Sequence, residues 1–163
     1  MLTKRKMDIV EVIPDVFLGS RIDKNNIHKL KDLGINNLLC CAIELPELHE
    51  LNELNINFMK LNLEDWEEEN VSQYFIDSSN FIEKCLAINN DDYSFPVQGK
   101  ILIYCQMGIS RSTTILISYL MIKQKMRYNE AFNLVLNRRL QANPNSGFRS
   151  QLIQLDHELF SEE

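Results

Sequence analysis

The chain has 163 residues, enough for one domain around one sizeable core, and its 45% apolar and 25% charged residues exclude disorder, collagen and coiled coil. A net charge of −6 argues against a general nucleic-acid binder. No apolar run reaches the roughly 18 residues of a membrane span, and the N-terminus lacks the apolar stretch and cleavage site of a secretory signal.

Residues 1–7 are polar and basic and read as a flexible N-terminus, so the folded unit is expected to begin at residue 8. Val10–Leu18 predict a strand with a turn. Residues 23–33 have helical spacing through Ile27, Leu30 and Leu33, with Gly34 at the stop position. Leu38–Ile43 form a short continuous apolar run, as a buried parallel strand does. A short helix is expected over 46–54 and a strand over 57–63. Glu64–Asn70 form an acidic surface loop, and a helix follows over about 72–89. Residues 89–99, with Pro96 and Gly99, read as a loop. Ile101–Tyr104 predict a strand, about 112–125 a buried helix apolar nearly all round, and 129–139 and 148–160 two amphipathic helices. Strands alternating with helices predict an α/β domain: a central, mostly parallel twisted sheet of four to five strands with helices on both faces.

The charge is split. Residues 1–100 carry 10 basic and 18 acidic side chains, and residues 101–163 carry 7 basic and 5 acidic, so an anionic ligand is expected in the second part. The four cysteines, Cys40, Cys41, Cys85 and Cys105, form no metal-ligand spacing. Without a secretory signal they read as reduced thiols, in a protein of the cytoplasm or nucleus. His28, His49 and His157 are scattered, and no metal or other cofactor is expected.

Chemistry concentrates in residues 101–114. A buried strand ends at Cys105. Gln106, Met107, Gly108, Ile109 and Ser110 form a loop, and Arg111 opens a helix. Ligands of open α/β sheets bind beyond the carboxyl ends of strands. Backbone N–H groups of such a loop can converge into an anion nest, with Gly108 allowing the turn. Arg111 can clamp two phosphate oxygens. Loop and helix N-terminus favour a nucleophilic thiolate at Cys105. The competing reading is a core cysteine at a strand end beside a surface arginine.

Cys105-Gln106-Met107-Gly108-Ile109-Ser110-Arg111-Ser112 resembles the signature loop of cysteine-dependent protein phosphatases. Gly-Ile-Ser-Arg-Ser-Thr-Thr, followed by Ile-Ser-Tyr-Leu-Met, is similar to the small dual-specificity phosphatases. Ile13–Ser20, Asn137–Arg139 and Asn143–Phe148 resemble that family's opening and closing segments, so residues 8–163 look like its catalytic domain standing alone. The resemblance implies a protein-tyrosine-phosphatase-like fold and hydrolysis of phosphotyrosine and phosphoserine/threonine through a phospho-cysteine intermediate, without a cofactor. The partner would be a phosphoprotein and the protein is taken as a monomer. Cys105 would be the nucleophile, and residues 106–111 would bind phosphate. Asp65 would be the general acid, with Glu64 and Glu67 as fallbacks. Ser112, whose other role is to cap or pack the helix start, would bond the departing thiolate; Ser110 and Asn145 would shape loops.

Two departures stand out. The family usually has a His before the nucleophile, and this chain has Tyr104, which is neutral at pH 7. Cys105 is then expected to be less fully thiolate and slower. Residues 89–99 are a longer loop than usual. Two other functions compete: a catalytically weak phosphoprotein-binding module, because of Tyr104, and a phosphatase of an RNA 5′-triphosphate or inositol lipid. Uncharged Gln106, Met107 and Ile109 favour a phosphoprotein.

Overall fold

The sheet starts from a tight local turn. Ile9–Ile13 (β1) and Val16–Gly19 (β2) pair antiparallel across Pro14-Asp15, with Asp15 in the left-handed region at φ 68°. Residues 8–87 and 99–161 are described by a computed structural model. The flexible stretch expected over 1–7 and most of the loop expected over 89–99 lie outside the described residues.

The remaining strands are parallel: Asn37–Cys40 (β3), Asn57–Lys60 (β4) and Ile101–Tyr104 (β5). The order across the five-stranded sheet is β1-β2-β5-β3-β4, which places β5 at the centre. Leu102 lies opposite Phe17 on one side and Leu38 on the other, and Cys40 lies opposite Tyr104. All four residues of β5 are buried, as its unbroken apolar sequence requires.

The path from β2 to β3 through His28–Leu33 (α1), and on to β4 through Glu50–Glu53 (α2), runs one way across the sheet. The path from β4 back to β5 through Phe75–Leu86 (α3) runs the other way. Right-handed crossovers therefore put α1 and α2 on one face and α3 on the opposite face. Arg111–Ile122 (α4) packs against α3, β2 and β5, and also against Tyr128–Arg138 (α5) and Ser146–Phe160 (α6). Every residue of α4 from Arg111 to Met121 is buried, so the all-round apolar helix is the central one.

The architecture is the one expected, and several boundaries differ: the strands expected over Leu38–Ile43 and 57–63 cover Asn37–Cys40 and Asn57–Lys60. The helix expected over 23–33 is helical only from His28. Upstream, the Asp23 N–H donates to Asn26 Oδ1 and the Asn25 N–H to Asp23 Oδ1, local bonds that hold turns instead. The short helix expected over 46–54 is confined to α2. A 3₁₀ turn, Val71–Tyr74, leads into α3 where one continuous helix is expected.

Candidate active site

The chain leaves β5 at Tyr104 and enters α4 at Arg111, and the loop between them is held from its outer side. The Arg21 N–H donates to the Gln106 carbonyl at 3.3 Å and the Asn143 N–H to the Ile109 carbonyl at 2.8 Å. Arg139 donates from Nη2 to the Met107 carbonyl at 3.1 Å and from Nε to the Gly108 carbonyl at 2.6 Å. A trans peptide turns its N–H opposite to its C=O. Four carbonyls drawn outward therefore send the N–H groups of Met107, Gly108, Ile109 and Ser110 inward, the arrangement of an anion nest. Gly108 makes the tight turn at φ 63°, and a Cβ there would lie 2.5 Å from the Gly19 carbonyl oxygen, so no side chain fits.

Cys105 lies at the base of the nest, buried, with Sγ 3.1 Å from Ser112 Oγ. No side chain caps the start of α4, so Ser112 serves the sulfur rather than the helix end. Ser110, at the N-cap position, uses its hydroxyl to accept from the Asn145 N–H at 3.0 Å.

Arg111 is buried, and Glu44, just after β3, meets it with both carboxylate oxygens: Nη1 donates to Oε2 at 2.6 Å and Nη2 to Oε1 at 2.5 Å. Nη1 also donates to the Leu63 carbonyl at 3.0 Å. Burial works against the Arg111 charge, but hydrogen bonding to Glu44 and the negative charges of Cys105, Glu44 and Asp65 together outweigh it, and the guanidinium is held more firmly protonated than usual. Reciprocally, hydrogen bonding to Arg111 lowers the Glu44 pKa below the ordinary glutamate value. Two guanidinium nitrogens and one edge are thus fixed before any phosphate arrives.

The acidic loop after β4 reaches the same place. Leu63 is buried against Arg111, and exposed Asp65 feels the Arg111 charge. Asp65 Oδ1 accepts from Asn145 Nδ2 at 2.9 Å, while Asn145 Oδ1 caps α6 by accepting from the Phe148 N–H at 2.9 Å. Asn145 does more than shape its loop: through its side chain and its backbone N–H it ties Asp65 to Ser110. A Cβ on Gly147 would lie 1.8 Å from the Glu67 carbonyl oxygen, so the start of α6 and the acidic loop touch backbone to backbone. Of the two fallback carboxylates, Glu64 and Glu67, neither is tied to this network by a side-chain bond of its own among the described residues; within the loop the Glu64 N–H donates to Glu69 Oε2 and the Glu69 N–H to the Trp66 carbonyl.

Tyr104, in the position before the nucleophile, is buried, opposite Cys40 on the neighbouring strand. Burial raises the pKa of this phenol, so it stays neutral. Burial likewise raises Cys40 and Cys41 and pushes Cys85 up to about 11, keeping all three as thiols. His28, His49 and His157 are exposed. Among the described residues no helix is long and apolar enough to cross a membrane.

The structure thus brings Cys105, Gln106–Ser110, Arg111, Ser112 and Asp65 together. Sequence reasoning missed Glu44, Arg139 as a loop support, and its partner Asp8. These lie far along the chain from the residues they touch, and no local spacing announces them.

A family model described as "Dual specificity phosphatase, catalytic domain" matches residues 16–158. Human dual specificity protein phosphatase 9 is 30% identical over 154 residues, covering 94% of this chain and 38% of that protein. MAP kinase phosphatase with leucine-rich repeats protein 3 of Dictyostelium discoideum is 34% identical over 154 residues, covering 92% of this chain and 16% of that protein. This chain therefore spans well under half the length of either curated relative. The crystal structure of human tyrosine phosphatase-like serine/threonine/tyrosine-interacting protein aligns with a TM-score of 0.78 at 28% identity, covering 94% of this chain and 98% of that one.

Proposed function

The chain belongs to the family of dual-specificity phosphatase catalytic domains, and we propose that it hydrolyses phosphotyrosine and phosphoserine/threonine in proteins through a phospho-cysteine intermediate. The observation that carries this reading is the loop whose carbonyls at 106–109 are all bonded on the outer side, with the Cys105 sulfur at its base. A phosphoryl group seated there meets inward N–H groups from residues 107–110 and the fixed guanidinium of Arg111. Together they offset the negative charge that otherwise repels a nucleophile.

In the first step the Cys105 thiolate attacks phosphorus. The S–P bond forms as the P–O bond to the substrate breaks, and Asp65 gives its proton to the leaving oxygen. In the second step Asp65, now ionised, takes a proton from water as the water attacks phosphorus. The S–P bond breaks, inorganic phosphate leaves, and the Ser112 hydroxyl donates to the reforming thiolate. Asn145 aims Asp65. Uncharged Gln106, Met107 and Ile109 at the mouth favour a phosphoprotein over a polyanionic lipid or RNA end.

Tyr104 supports a second reading, a non-catalytic module of the same fold that binds phosphoproteins. One experiment separates the two: hydrolysis of phosphotyrosine and phosphothreonine peptides by the purified chain and by Cys105→Ser. Turnover abolished in the variant, with phosphopeptide binding retained, supports the enzyme. Binding without turnover in both supports the module. Near-wild-type turnover by Cys105→Ser would overturn the cysteine mechanism.

A further inference from the structure

We propose that Arg139, locked by Asp8, is the positioning residue that holds the 106–111 loop in its anion-accepting form, an inference that rests on the phosphatase reading of that loop. Arg139 lies in the segment after α5 and its side chain is 2% exposed. Every nitrogen of its guanidinium is used. Nε reaches the Gly108 carbonyl at 2.6 Å, Nη2 reaches the Met107 carbonyl at 3.1 Å and Asp8 Oδ2 at 2.7 Å, and Nη1 reaches Asp8 Oδ1 at 3.0 Å. The two loop carbonyls belong to successive peptides, and they carry the N–H groups of Gly108 and Ile109 on their other edge. Holding the oxygens fixes which way those two donors point.

Glycine makes that hold necessary. Gly108 sits at φ 63°, where it turns without a steric penalty, but a glycine crosses to other conformations as easily, and the peptides flanking it can rotate. A peptide turned over would present a carbonyl oxygen to an incoming phosphate in place of an N–H. The Arg139 bonds select the productive orientation. A cation behind the two carbonyls also polarises the peptides and makes the inward N–H groups better donors. Only a planar fork with donors on adjacent nitrogens meets both carbonyls and a carboxylate at once; an ammonium group cannot.

The buried guanidinium in turn needs a countercharge, since an unpaired buried cation is strongly destabilising. Asp8 supplies it from the edge of β1. Its side chain is 50% exposed, so it compensates Arg139 without itself being sealed from water. Asp8 is anchored twice more: its carbonyl accepts from the Ser20 N–H at 3.0 Å, and Oδ2 accepts from Gln141 Nε2 at 3.1 Å. The extreme N-terminal edge of the sheet is thereby linked through one arginine to the nest, on the side away from the phosphate.

The test uses the full chain and three variants, Arg139→Lys, Asp8→Asn and Asp8→Ala. Folding is followed by circular dichroism, orthovanadate affinity by titration, and the pH at half-maximal alkylation of Cys105 by iodoacetamide. Arg139→Lys is expected to weaken vanadate binding about tenfold or more, equivalent to about 1.4 kcal/mol, and to move the alkylation midpoint upward. Both Asp8 variants should move the two readings the same way by less. A purely structural role would lower the unfolding temperature and leave both readings of the folded fraction unchanged. Folded Arg139→Lys with vanadate affinity within about twofold of wild type would overturn the proposal. Should Arg139→Lys not fold, the half-exposed Asp8 variants decide: unchanged affinity in both overturns it. A wild-type chain that binds vanadate but hydrolyses no phosphoester removes the enzymatic reading and leaves this one standing.

Discussion

Replacing Ser112 with Ala removes one oxygen and one bond, the 3.1 Å contact to the Cys105 sulfur. Ser112 is fully buried, so no water takes the place of its hydroxyl, and the lost volume is too small to disturb α4. A hydrogen bond to a charged group contributes roughly 1.5–3 kcal/mol. At about 1.4 kcal/mol per pH unit, its loss should raise the pH of half-maximal Cys105 alkylation by about one unit, the lower end applying because the nest N–H groups still face the sulfur. The same bond stabilises the thiolate as it departs from phosphorus, so dephosphorylation of the intermediate should slow more than its formation. Rapid mixing with p-nitrophenyl phosphate should then show a burst of nitrophenolate close to one per enzyme, followed by a steady rate about tenfold below wild type. An unmoved alkylation midpoint together with an absent burst would refute the assignment of Ser112 to the sulfur and return it to helix packing.

Asp65→Asn should lower turnover of phosphothreonine peptides by about 10²–10⁴-fold and of an aryl phosphate with an acidic phenol far less, because only the alkoxide needs the proton; if Glu64→Gln or Glu67→Gln is harmful and Asp65→Asn is not, the acid has been misplaced. Tyr104→His should raise the Cys105 alkylation rate at pH 6, and an unchanged pH profile would show that loop and helix act alone. Glu44→Gln frees Arg111 from its charged partner and should raise KM for aryl phosphate more than it lowers kcat; equal effects on both would argue against a role in presenting the guanidinium. The Glu44 pKa is lowered in the fold, so its bond to Arg111 adds stability above the ordinary glutamate range and loses it as pH falls. Thermal unfolding of Glu44→Gln should therefore depend less on pH across the acidic range, most visibly below the ordinary glutamate pKa.

How much could be read from the sequence depended on how local the determinants were. The strand-loop-helix from Ile101 to Ile122 was legible because its apolar run, its turn glycine and its arginine are contiguous, and strand bounds agree to the residue. The sheet-edge turn was legible for the same reason. Helix α1 was overread, since Ile27, Leu30 and Leu33 keep helical spacing while Asp23 and Asn26 spend their side chains on turns. Nothing local in the sequence marks Glu44, because its meaning depends on Arg111, which lies 67 residues further along the chain. Asp8 and Arg139 stand near opposite ends of the domain and join only when β1 and α5 meet.

The central place of β5 has a consequence for how the molecule comes into being. During synthesis β1 to β4 all emerge before β5, yet β2 and β3 touch only through it. A nascent chain that stops short of residue 101 holds two half-sheets whose facing edges have no partner, the exposed-edge state in which chains join their neighbours. Closing the gap requires pairings distant in sequence, which fold slowly. The strand that closes it is followed directly by Cys105, so the ribosome delivers the reactive sulfur and the last missing piece of the sheet together, and no chain that ends before β5 carries the sulfur.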